Sequence, residues 1–118
     1  MSYCWKTYKG KQVFYVDYGG LNIDEMLKLL NETCEVLKQS SGNVLLLTNF
    51  EKAIVPTQFM TEVKRLGKEV ISVKTTKTAL LGVYGIREVL VQGYTFFTGE
   101  KNLKAFKTEQ EAMEWLIS

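Results

Sequence analysis

Three short apolar runs constrain what this chain can become. They are "QVFYVDY" (12–18), "NVLLLTNF" (43–50) and "KTALLGV" (77–83), and a longer segment with helical spacing follows each of them. Runs of this length with apolar residues on both faces read as strands covered on both sides. Strand–helix–strand units make right-handed crossovers and bring their strands together in parallel. Three such units in succession leave few choices beyond an open α/β sheet. The chain has 118 residues, 46% hydrophobic and 24% charged, which fits one domain over 1–118 with a sizeable core.

The flanking segments complete the pattern. "YCWKTY" (3–8) alternates, "KGK" (9–11) signals a turn, and the two predict an antiparallel hairpin with the run at 12–18. Asn22 and Glu25 have capping-box spacing, and Ile23, Met26, Leu27, Leu30, Cys34 and Leu37 share one helical face before Gly42 closes the helix. Pro56 suits the first turn of a second helix, with Phe59, Val63, Leu66 and Val70 on its buried side. Gly67 argues against an unbroken helix there. A third helix buries Ile86, Val89, Leu90, Gly93, Tyr94 and Phe97. "LKAF" reads as a short edge strand, and Thr108 with Glu111 caps a last helix whose buried stripe is Ala112, Met113 and Leu116. The expected fold is α/β: a mixed sheet of about five strands, mostly parallel with one antiparallel edge strand, covered by about four helices.

The net charge of +2 conceals a basic block. Residues 52–77 hold Lys52, Lys64, Arg65, Lys68, Lys74 and Lys77 against two acids. Such a block is either a solvated helix face or a surface for an anionic partner. Nucleic-acid domains are usually far more basic, and the RNA-binding aromatic signatures are absent, so specific nucleic-acid binding is not expected. No apolar run reaches the roughly 20 residues of a membrane span. The cysteines, Cys4 and Cys34, have no metal-ligand spacing, and Cys34 falls on an apolar helical stripe. Few cysteines and no signal-like start predict a reducing, cytoplasmic setting.

Chemistry-bearing groups are sparse. There is no histidine, which removes the commonest general base and metal ligand. No metal or cofactor is expected. Asp17 ends a strand in "VDYGG", where it either serves a turn or faces a crevice at the strand ends. Asp24 and Glu25 sit in a helix first turn, where acids complement the dipole. Gly82 and Gly85 flank a strand-to-helix turn, but neither the Walker loop nor the dinucleotide fingerprint fits their spacing. The glycines then serve a sharp turn, with Arg87 and Tyr84 near a helix N-terminus that is able to hold an anion. Thr57 stands at a helix start, as a cap or as a site for a phosphate.

The runs "VFYVDYGGL", "VLLLTNF" and "KTALLGVYGIREVLVQGYTFFTGEKNLKAFKTEQEAMEWL" resemble the bacterial STAS-like family related to SpoIIAA. The resemblance covers nearly the whole chain and rests on a G-x-x-G strand–helix turn, an aromatic-rich helix end, a short "aF" strand and an "eeAleWL"-type terminal helix. It implies a STAS fold and a non-catalytic module that binds partner proteins. Anti-sigma factor antagonists of this kind are switched by phosphorylation of a serine in an Asp-Ser-Ser-Gly-like motif. The matching "NFEKAIVPTQF" has no serine, and Thr57 is its positional stand-in. The wider grouping also shades into small CRAL-TRIO-like lipid-binding folds.

Two roles follow. The first is an interaction or regulatory module whose partner surface is the second helix and the loop before it, with Lys52, Thr57, Lys64, Arg65 and Lys68. The alternative is a small-ligand domain, for a nucleotide or lipid-like molecule, in a strand-end crevice formed by Asp17, Asn49, Tyr84 and Arg87. Catalysis would need carboxylate or tyrosine chemistry and is not expected. The exposed first strand offers an edge for a homodimer.

Overall fold

The computed structural model describes residues 2–83 and 86–118, with the backbone alone for 86–89. β1 (Tyr3–Tyr8) and β2 (Lys11–Asp17) form the antiparallel hairpin, with Tyr8 opposite Lys11. Lys9 and Gly10 join them at φ 48° and 84°, the two positive values of a primed turn, which follows the strand twist. The chain then alternates through α1 (Ile23–Gln39), β3 (Val44–Asn49) and α2 (Thr57–Leu66). A π-helical turn (Gly67–Ile71) and a short α3 (Ser72–Lys74) lead into β4 (Thr75–Leu81). α4 (Ile86–Thr98), β5 (Leu103–Phe106) and α5 (Glu109–Ile117) complete it.

The five strands lie in the order β1-β2-β3-β4-β5, and every pair from β2 onward is parallel. Because the order advances in one direction, right-handed crossovers place α1, α2 and α4 on one face. α5 follows the last strand and returns across the other. Strand alternation divides the core accordingly. Phe14, Val16, Leu46 and Phe59 join α1 and α2 in one layer, while Val13, Leu47, Ala79 and Leu81 meet Ala112, Met113 and Leu116 of α5 in the second. Each of the larger side chains among these contributes on the order of 1.5–3 kcal/mol when fully buried, and each alanine less.

Local signals explain most element ends. The Asn22 side chain accepts from the Glu25 amide at 2.9 Å, and the Asn22 amide donates to Glu25 Oε1 at 3.0 Å. α1 stops at Ser40, whose amide and hydroxyl both reach the Leu37 carbonyl, and Gly42 (φ 95°) turns the chain one step later. At α5 the Glu111 amide donates to Thr108 Oγ1, but the Thr108 hydroxyl itself takes the Glu111 carboxylate, so the box closes on the side chain. Pro56, not Thr57, is the N-cap of α2, and it supplies no side-chain cap. The break anticipated at Gly67 is a widening: the helix continues through Gly67 in π geometry.

α5 is fastened at both ends. Lys6 and Lys9 pair with Glu109 and Glu114 at 3.0 and 2.7 Å. Lys77 Nζ donates to the carbonyls of Trp115 and Ser118, and Lys11 Nζ to that of Ile117. Cations at the end of a helix satisfy orphan carbonyls and oppose the dipole.

Candidate functional site

The five residues of the expected partner surface fall into separate places. Lys52 holds a left-handed backbone (φ 61°) in the loop after β3, and its carbonyl accepts from the Gly20 amide at 3.0 Å. Thr57 is exposed at the first turn of α2, where its carbonyl accepts from the Thr61 hydroxyl. Lys68 lies 11 residues further on, about 16 Å along the helical axis. Arg65 is engaged within its own helix, with Nη2 on Glu62 at 2.7 Å and Nη1 on Glu69 at 3.3 Å. Lys64 and Lys68 lean the other way, towards α4. Lys64 Nζ stands 4.0 Å from the position a Cβ would take at Gly93, and Lys68 Nζ lies 5.2 Å from the centre of the Phe97 ring. Phe97 is half exposed, so the α2–α4 seam carries a cation over an aromatic ring; Phe96, on the same helix, is 80% exposed.

The expected strand-end crevice is used by turns. Asp17 and Asn49 are register partners at the ends of β2 and β3. Asp17 Oδ1 accepts from the Gly19 amide at 2.9 Å. Asn49 Oδ1 accepts from the Glu51 amide at 2.8 Å, and its Nδ2 donates to the Tyr15 hydroxyl at 2.9 Å. The sheet order never reverses, so there is no switch point of the sort where open α/β sheets usually hold ligands. Tyr84 and the Arg87 side chain lie outside the described residues. Gly82 is described: at φ 78° it sits against the β3–α2 loop, and a Cβ there would overlap the backbone of Phe50 and Glu51.

A cavity of about 80 Å³ lies inside the three-helix layer. Leu46, Thr48, Thr78 and Leu80 of the sheet form its floor. Half-buried Met60, Val63, Leu90 and Val91 form its outer wall between α2 and α4. Five buried residues that carry hydroxyl groups line it: Tyr18, Thr33, Thr48, Thr78 and Tyr94. The Thr33 hydroxyl lies beside the Tyr18 phenol and favours its ionisation, against the larger effect of burial. Burial dominates and pushes both phenols well above their ordinary range. It also pushes the Cys34 thiol up to about 11. Behind Tyr94, the Glu100 carboxylate oxygens are buried, with the Tyr94 hydroxyl beside them. Burial raises that carboxyl to about 7, against a smaller opposing influence of the Tyr94 hydroxyl.

Sequence reasoning missed this interior. Two signals were present: a threonine at position 33 on an otherwise apolar stripe, and a glycine at position 67 inside a helix. A Cβ at Gly67 would overlap the Tyr94 ring and hydroxyl, so the glycine admits the tyrosine to the layer. Among the described residues, no cluster of His, Cys, Asp or Glu could hold a metal ion, and no helix is long and apolar enough to cross a membrane.

No family profile and no curated protein matches the chain. Solved structures do. An uncharacterised DUF3478-family protein from Shewanella loihica PV-4, described as having a SpoIIAA-like fold, superposes with a TM-score of 0.74 at 14% identity, over 97% of this chain and 91% of that one. This chain has a SpoIIAA-like fold. An anti-sigma-factor antagonist (STAS) domain protein from Planctomyces limnophilus also aligns, with a TM-score of 0.58 at 14% identity over 98% of both chains. The five-stranded mixed sheet and its helices are those of the SpoIIAA-like fold anticipated from the sequence.

Proposed function

We propose that this protein is a non-catalytic, cytoplasmic interaction module that binds a partner protein through α2 and the neighbouring face of α4. The observation that supports it best is the seam where Lys68 lies over the half-exposed Phe97 ring and Lys64 reaches Gly93, on a helix that also exposes Phe96. Exposed aromatic side chains beside cations suit an acidic partner with an apolar anchor. The same fold in the Planctomyces protein belongs to a domain named as an anti-sigma-factor antagonist, which accords with a regulatory role. Lys52 and Thr57 would extend the contact at the other end of α2. Arg65, already shared between Glu62 and Glu69, would add little.

The test is capture of partners from the native cytosol followed by quantified binding. Lys64→Glu combined with Lys68→Glu should weaken a specific partner at least tenfold, and Phe96→Ser should do the same. Lys101→Glu serves as the control. Binding that survives both sets of changes removes the seam as the partner surface.

A further inference from the structure

We propose that the free edge of β1 is a docking surface for a second copy of this chain, which pairs with it antiparallel about a two-fold axis at Trp5. The Asp17 amide donates to the Ser2 carbonyl at 2.7 Å, and the β1–β2 register runs unbroken from Tyr3–Val16 to Tyr8–Lys11. Bonded residues alternate along an antiparallel ladder, so Cys4, Lys6 and Tyr8 turn their backbone groups to β2. Tyr3, Trp5 and Thr7 turn theirs outward, and no described residue bonds to them. Exposed edges are commonly protected by a bulge, a proline or a charge. β1 has neither proline nor bulge. Its one charged side chain, Lys6, is held on the α5 face by Glu109 at 3.0 Å and lies 3.9 Å from the centre of the Tyr15 ring. On the other face Trp5 packs on Phe14 and still remains 47% exposed.

Strand chemistry selects the register. Outward groups must meet outward groups. An axis at Trp5 sets Trp5 opposite Trp5 and Tyr3 opposite Thr7, using all three outward residues of each copy. An axis at Lys6 would oppose two lysines, and one at Cys4 would carry Thr7 past the end of the strand. Charge selects the occupant. The groove beside this edge is lined by Tyr3 and by α1, with Lys28 before the helix midpoint and Glu32 and Glu35 after it. The two-fold lays the two α1 helices antiparallel on one side of the joined sheet, so the Lys28 end of each copy faces the Glu35 end of the other. A surface basic at one end and acidic at the other complements itself under that rotation. The strand is six residues long, so the contact is small and the association weak. This surface is separate from the α2–α4 seam and does not rest on it.

Sedimentation of the full chain from about 10 μM to about 1 mM should show the mass rising to that of a dimer and stopping there. Amide exchange by NMR at both ends of the series locates the contact. The Trp5 and Thr7 amides should slow about threefold or more at the higher concentration, while those of Cys4 and Lys6, already bonded to β2, should not change. Thr7→Pro removes only an outward amide and should leave a monomer. Lys28→Glu should weaken the dimer about three- to tenfold, and adding Glu35→Lys should restore it. Four results overturn the inference: a monomer throughout the series, growth beyond a dimer, a dimer whose Trp5 and Thr7 amides gain no protection, or a dimer indifferent to the Lys28 and Glu35 reversals. The wild-type mass and exchange decide even where a variant does not fold. Lys64→Glu with Lys68→Glu should leave the dimer intact, which separates this edge from the partner surface.

Discussion

At the scale of single residues, Glu100 and Gly82 make the sharpest predictions. The Glu100 carboxyl is raised to about 7 from an ordinary 4.5. The unfolded chain therefore releases this proton at lower pH than the folded one does. Its contribution should make stability fall as pH rises from about 4.5 to about 7, and then level off. Denaturant midpoints for the wild type and Glu100→Gln measured across that window should diverge, with the variant the more stable at pH 8. Parallel curves would show that the carboxyl is solvated. Gly82→Ala meets two obstacles: a positive φ and the backbone of Phe50 and Glu51. It should cost on the order of 2–4 kcal/mol by chemical denaturation.

Elements turn on caps and close approaches. Asn22→Ala removes the side-chain half of the α1 capping box and should lower stability by about 1 kcal/mol. The π-helical turn is a packing device as much as a helical irregularity. Gly67 opens the space that Tyr94 of α4 fills. Gly67→Ala should cost about 1–3 kcal/mol through overpacking. Tyr94→Phe removes the atom in the tightest contact, so the double variant should recover part of that loss. A double-mutant cycle with no coupling would show that α4 does not rely on this approach.

The whole molecule is a sheet between two unequal layers, three helices on one side and α5 on the other. The two tryptophans report on them separately. Trp5 packs on Phe14 beneath the three-helix layer, with ring centroids 4.8 Å apart, and Trp115 of α5 packs on Phe106 at 5.4 Å. Both layers share the same strands, so Trp5→Phe and Trp115→Phe variants should show coincident fluorescence transitions in urea. An earlier transition in the chain that retains Trp115 would mean that α5 unfolds independently. Its fastenings are exposed ion pairs and lysine-to-carbonyl bonds, individually weak, so its three buried side chains must hold most of the contact.

Local chemistry determined much of this protein directly. Apolar runs bounded by polar residues, the Asn22–Glu25 spacing and the Lys9–Gly10 turn depend on neighbours in the chain, and they were legible in one dimension. So was the parallel sheet, because handed crossovers leave few alternatives. The candidate sites were less legible. Lys64, Arg65 and Lys68 look alike in sequence, yet Arg65 is held by Glu62 and Glu69 while the two lysines turn to α4. Asp17 and Asn49 look available until the turns claim their side chains. The cavity is a property of three helices meeting one sheet, and no single element's periodicity foretells it. Periodicity tells which face of an element is buried; only tertiary packing decides what each buried group meets, and where the packing falls short.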